Sequence, residues 1–84
     1  MNTISWSNKA RKQLLKLPNK EAKKIHEEVL ALECFPACQN IKKLTNHEYE
    51  YRLRVGPFRV FFNFDGAVRI VTIEEVKRRN EHTY

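Results

Sequence analysis

The hydrophobic pattern changes period near Tyr49, and that change confines the chain to a mixed fold. Before it, Ala10, Leu14 and Leu17, then Ala22, Ile25, Val29 and Leu32, recur at helical spacing. After it, aromatic and β-branched residues alternate with polar ones through Tyr49–Val55, Phe58–Phe64 and on to Glu74. The short β-rich run Thr3–Trp6 precedes the first helical stretch, which Ser7 or Asn8 caps and Pro18 stops. Asn19 can cap a second helix, which Phe35 and Pro36 end, and Ile41–Leu44 is a short strand or a lead-in.

Gly56-Pro57 and Asp65-Gly66 mark turns between three antiparallel strands, the last over Ala67–Glu74. The order is β-α-α-β-β-β, an α+β domain with a helix hairpin packed on one face of an antiparallel sheet and the other face left to solvent. Glu75–Tyr84 lacks apolar periodicity and is expected as a helical turn or an ordered tail. At 84 residues there is room for one core, so residues 1–84 form a single domain.

Sixteen Lys and Arg against ten acids leave a net charge of +6, which favours a polyanionic partner, either nucleic acid or an acidic protein. Met1 leads into polar residues and no run nears the roughly 18 apolar residues of a membrane span, so the expected location is the cytoplasm, with no membrane partner. No helix-turn-helix and no small-molecule motif is visible. Cys34 and Cys38, spaced C-x-x-x-C, read as reduced thiols. Joining them with His26 and His47 in a zinc site would need ligands at irregular spacing, one of them within a helical pattern, so no metal is expected.

Alternation places Glu50, Arg52 and Arg54 on one face of their strand, and Arg59, Phe61 and Asn63 on the outward face of the next. Arg52, Arg54 and Arg59 then converge beside the intervening turn. Lys77, Arg78 and Arg79 follow the last strand, with His82 and Tyr84 close behind. Guanidinium groups grip phosphates and rings stack on unpaired bases, a pairing suited to RNA. The same pattern also describes a solvated basic face with a charged terminus.

The block Tyr49-Glu-Tyr-Arg-Leu-Arg-Val-Gly-Pro-Phe-Arg-Val-Phe-Phe62, the ending Val76-Lys-Arg-Arg-Asn-Glu-His-Thr-Tyr84 and the early Ser5–Pro18 segment together resemble the RelE/ParE superfamily of type II toxins. The resemblance spans nearly the whole chain. Its RelE branch implies a ribosome-dependent mRNA endonuclease that uses no metal or other cofactor and transfers the 2′-hydroxyl onto the adjacent phosphate. Such chemistry needs a base for the 2′-proton, cations for the phosphorane and an acid for the leaving oxygen.

Carried over by position, Arg59 matches the family's phosphate-stabilising arginine, Arg78 a second catalytic arginine and Tyr84 the tyrosine six residues beyond it, while Arg52 matches a backbone-contacting basic residue. Arg54, Lys77 and Arg79 complete the expected RNA-binding set. Glu50 stands where familiar RelE enzymes carry lysine, and Arg52 stays protonated, so Glu50 and His82 are a candidate acid–base pair, as in a relative that uses Glu with His.

Two alternatives share the scaffold or the charge: a ParE-like inhibitor of DNA gyrase, and a basic RNA-binding module without catalysis. The resemblance also implies partners: the ribosome and mRNA, an acidic RelB-like antitoxin, and operator DNA reached only through that antitoxin.

Overall fold

The computed structural model describes residues 1–79. Strand β1 (Thr3–Trp6) leads to helix α1 (Asn8–Leu15) and helix α2 (Asn19–Leu30), followed by a 3-10 turn at Ala31–Cys34. Strands β2 (Ile41–Lys43), β3 (Tyr51–Val55), β4 (Phe58–Asp65) and β5 (Ile70–Arg78) complete one sheet in the order β1-β5-β4-β3-β2. The α+β class and the order of elements match the expectation, and Ile41–Lys43 is indeed a strand. The sheet is mixed, however, because β1 pairs with β5 in parallel, Thr3 opposite Ile70 and Trp6 opposite Ile73. The two helices supply the crossover that a parallel pair requires.

The helix ends follow local chemistry. Ser7 caps α1 by accepting the Ala10 N–H at 3.0 Å. Pro18 itself, not Asn19, occupies the cap of α2 and makes no side-chain cap bond. The stripe Ile25, Val29 and Leu32 is fully buried against the sheet, whose inner face contributes Leu53, Val55, Phe58, Val60, Phe62, Val71, Ile73 and Val76. Phe35, just after the 3-10 turn, sits edge-on to Tyr51, Phe62 and Phe64 with ring centroids 4.9, 5.4 and 5.1 Å away. Such edge-to-face contacts add to simple burial. Asn2 ties the start of the chain to this corner, its side-chain amide donating to the carbonyls of Leu32 and Phe35.

The last strand differs most from expectation. Ala67–Arg69 form the turn, with Asp65 accepting the Ala67 N–H and Arg69 at φ 57°, so β5 begins only at Ile70. It then runs on through Glu75–Arg78, where a tail or helical turn was expected. A bulge between the pairs Phe61–Glu75 and Phe62–Ile73 leaves Glu74 as the extra residue and resets the alternation. The resetting keeps Val76 in the core after Val71 and Ile73, and turns Glu75 and Lys77 to the open face.

Beyond Ile73 strand β5 has lost β1 as a neighbour, and α1 takes over its edge: the Gln13 side chain accepts the Val76 N–H at 2.6 Å, and the Ser7 hydroxyl donates to the Glu74 carbonyl at 3.0 Å. Backbone groups that would template another strand are thereby satisfied. At the other edge β2 is short and carries Lys42 and Lys43. Phe62 is completely buried at the centre of the core, so Phe62→Ala is expected to lower unfolding free energy by about 3–5 kcal/mol, as measured by urea denaturation.

A candidate polyanion site on the open sheet face

The two-residue turn at Gly56-Pro57, with Gly56 at φ 54°, aligns β3 and β4 so that Arg54 lies directly opposite Arg59 and Arg52 opposite Phe61. A guanidinium beside a guanidinium is unfavourable, and cross-strand neighbours lie only about 5 Å apart at Cβ. Here four gather. Arg52, Arg54, Arg59 and Arg79, with Gly56 and Phe58, line a pocket of about 170 Å³. Arg79 is brought there by its N–H, which donates to the Pro57 carbonyl at 2.6 Å. None of the four makes an ion pair with an acid among the described residues. Burial lowers the Arg52 pKa from its usual value, and repulsion from Arg59, Arg54 and Arg79 lowers it further. Its Nε is enclosed with no hydrogen-bond partner among the described residues. This concentration of unpaired, converging donors suits a phosphate, which accepts bidentate bonds and cancels the repulsion.

The expected convergence of Arg52, Arg54 and Arg59 is therefore what the structure contains, with Arg79 added. Lys77 lies opposite Arg59 on the same face and pairs with Glu75 at 3.7 Å. Arg78, which the resemblance offers as a second catalytic arginine, alternates to the helix side. Its guanidinium lies 4.7 Å from the Phe58 ring centroid and pairs with Glu21 of α2 at 3.2 Å. Strand alternation makes both placements compulsory once β5 extends to Arg78.

Glu50 is also apart from the arginines. Its N–H donates to Asn63 Oδ1 at 2.8 Å and its carboxylate accepts the Phe64 N–H at 2.9 Å, a reciprocal clasp that closes the end of the β3–β4 ladder. Asn63 is four residues from Arg59 along β4, about 13 Å at the usual strand rise, too far for Glu50 and Arg59 to hold one phosphate. His82 and Tyr84 lie outside the described residues. Cys34 is exposed and Cys38 half-buried, both as free thiols, and burial, with the nearby Cys34, raises the Cys38 pKa. His26 stacks on Trp6 and His47 on Phe61. Among the described residues no group of three His, Cys, Asp or Glu side chains is placed to share a metal ion, and no helix is long and apolar enough to cross a membrane.

Pattern reading missed Glu75, the one strongly buried acid among the described residues, only 7% exposed. Its Oε1 accepts from Lys9 at 3.3 Å and from the Tyr49 hydroxyl at 3.1 Å, and its Oε2 faces Lys77. Burial pushes its pKa up, but the hydrogen bonds from Lys9 and Tyr49 and the charge of Lys77 outweigh this, leaving it below the ordinary value. Burial and the bond to Glu75 raise the Tyr49 pKa. The available signal was the three-residue step from Ile73 to Val76, which breaks period two and betrays a bulge.

Two helices on a five-stranded mixed sheet, in this order of elements, make up the RelE-type fold. The chain overlays the isolated RelE toxin of E. coli with a TM-score of 0.82 at 13% identity, covering 99% of this chain and 89% of that one. It is almost as similar in fold to two chains from toxin–antitoxin complexes. For the archaeal RelE–RelB complex of Pyrococcus horikoshii OT3 the TM-score is 0.80 at 22% identity, over 95% and 97% of the two chains. For the RelBE2 complex of Mycobacterium tuberculosis it is 0.80 at 26% identity, over 93% and 98%.

A family model described as the ParE toxin of type II toxin–antitoxin systems matches residues 4–82, and the chain belongs to that family. No curated protein sequence matches it.

Because the Glu75 pKa is lowered on folding, its contribution to stability is complete above the ordinary carboxyl value of 4.5 and is lost as pH falls through the lowered folded value. Glu75→Gln is accordingly expected to melt below wild type at pH 7, with the gap closing in acid, as followed by thermal denaturation across pH.

Proposed function

We propose that this toxin is a ribosome-dependent endonuclease that cuts mRNA by attack of a 2′-hydroxyl on the adjacent phosphate. The supporting observation is the pocket at the β3–β4 turn, where Arg52, Arg54, Arg59 and Arg79 converge without an acidic partner among the described residues. In this reading the new bond joins the 2′-oxygen to phosphorus and the bond to the 5′-oxygen breaks. Arg59, central in the cluster, meets the charge that grows on the non-bridging oxygens, and its neighbours hold the flanking backbone. Donors already converging on that position need little rearrangement as the charge develops, which is the main source of such stabilisation.

Proton transfer is assigned to His82, three residues beyond Arg79, and base stacking or proton donation to Tyr84. Glu50, committed to its clasp with Asn63 and Phe64, acts by holding the strand end, and Arg78 by fastening the end of β5 to α2. Arginine and lysine side chains serve as the cations, so this reading calls for no metal.

A toxin of this kind needs restraint. The similar chains from Pyrococcus horikoshii and Mycobacterium tuberculosis were solved with antitoxins, and the corresponding partner here is an acidic, RelB-like protein whose carboxylates neutralise the arginine cluster. Contact with operator DNA then runs through the antitoxin.

The test is to induce the chain without a partner in a bacterium and map mRNA 5′ ends. New ends within translated codons are expected with wild type, and Arg59→Ala should reduce them by about 100-fold or more, the scale for losing a preorganised oxyanion donor. Growth arrest with DNA damage and no new ends would instead identify a gyrase inhibitor on the same scaffold. Salt-sensitive RNA binding without cleavage on ribosomes would identify a binding module.

A further inference from the structure

Beside the arginine pocket, on the same face of the sheet, lies an aromatic group with no role in the core. Phe61 points away from the helices, opposite Arg52 on β3 and Glu75 on β5, and two residues from Arg59 along β4. Same-face neighbours on a strand are roughly 7 Å apart, so ring and guanidinium adjoin. Although it faces outward, Phe61 is only 7% exposed because the segment before β3 folds back over it. His47 lies nearly parallel to the Phe61 ring, 5.2 Å between centroids and 15° between planes, and Tyr49 leans on the same ring at 5.7 Å.

Two hydrogen bonds hold this arrangement. The Tyr49 hydroxyl donates to Glu75, and the Tyr49 N–H donates to His47 Nδ1 at 3.0 Å. The second bond fixes the imidazole orientation and leaves Nδ1 as the acceptor. His47 itself is exposed. One flat face of its ring is covered by Phe61, and the ring belongs to a loop pinned at both ends of its aromatic contacts.

A preoriented aromatic ring next to a phosphate-binding cluster is the combination used for unpaired nucleotides: cations take the backbone, and the ring takes a base of any identity. The geometry points to His47, backed by Phe61 and Tyr49, as a base-stacking shelf for a nucleotide of single-stranded RNA whose phosphate is held by Arg52 and Arg59. This assignment rests on the proposed RNA-cutting function and extends it with a subsite for a base next to the bound phosphate. A double helix, whose bases are already stacked, gives the shelf nothing to hold.

The test uses full-length protein and two fluorescently labelled 2′-O-methyl hexanucleotides, which lack the attacking hydroxyl and so stay intact. One is hexauridine; the other has the same backbone with hydrogen in place of every base. Anisotropy titrations at fixed salt should give roughly 5- to 150-fold tighter binding of the base-bearing strand, the usual range for one stacked base. His47→Asn, which keeps a side-chain acceptor for the Tyr49 N–H but removes the ring, should abolish that preference. His47→Phe, which keeps a ring and loses the acceptor, should retain it, and both variants should bind the abasic strand as wild type does.

Equal binding of the two strands by wild type, or a preference that survives His47→Asn, overturns the shelf while leaving the phosphate site intact, provided Arg59→Ala still weakens both strands. If neither strand binds wild type measurably, the shelf is overturned, while the RNA-cutting function stands or falls separately on the mapped mRNA 5′ ends.

Discussion

The alternation of side chains along β4 is the constraint on which the rest depends. Phe58, Val60 and Phe62 point toward the helices and are almost fully buried, so Arg59 and Phe61 must point the other way. A one-residue slip would bury guanidinium and expose phenyl rings, at a cost far above what a domain of this size can bear. Phe62 under Phe35, Tyr51 and the helical stripe therefore does more than stabilise the core. It sets the register that delivers Arg59 to the turn and Phe61 to the aromatic contacts beside it.

The open face is divided electrically. At the β3–β4 turn, four arginines stand together with no acid to relieve them among the described residues. One bulge away, Glu75 collects Lys9, Tyr49 and Lys77 and balances its own burial. The two regions differ in kind: Glu75 is a satisfied hub that ties α1 and the loop before β3 to the sheet, whereas the arginine cluster is left with attraction to spare. A fold that keeps like charges this close gives up some stability locally, and binding of an anion returns it. Any anionic group bound at such a surface supplies the missing negative charge.

Helix α1 has a second task besides covering the core. By accepting the Val76 N–H through Gln13 and donating to the Glu74 carbonyl through Ser7, it carries β5 past the end of its partner β1. Without that support the strand would have no partner on this side beyond Ile73, and Arg79 would lose the extended path that brings its N–H to Pro57. The edge of the sheet and the arginine site are therefore linked through one glutamine and one serine.

Much of this was legible in the residues themselves. The change of period at Tyr49, the stop at Pro18 and the Gly56-Pro57 turn determined an α+β chain with two helices before three antiparallel strands, because helical and strand periods cannot be interchanged without exposing the core. Period two also placed Arg52, Arg54 and Arg59 on one outward face. Only the tertiary structure decided that β1 pairs in parallel with β5, that a bulge at Glu74 prolongs β5 through charged residues, and that Arg78 turns to α2 while Arg79 joins the cluster. It also decided that Glu50 clasps Asn63, and that His47 and Tyr49 lie across Phe61. Alternation along one strand is a local property, set by backbone geometry residue by residue. The partner of an edge strand, the position of a bulge and the path of a loop are set by which distant groups can satisfy each other, and those meet only in three dimensions.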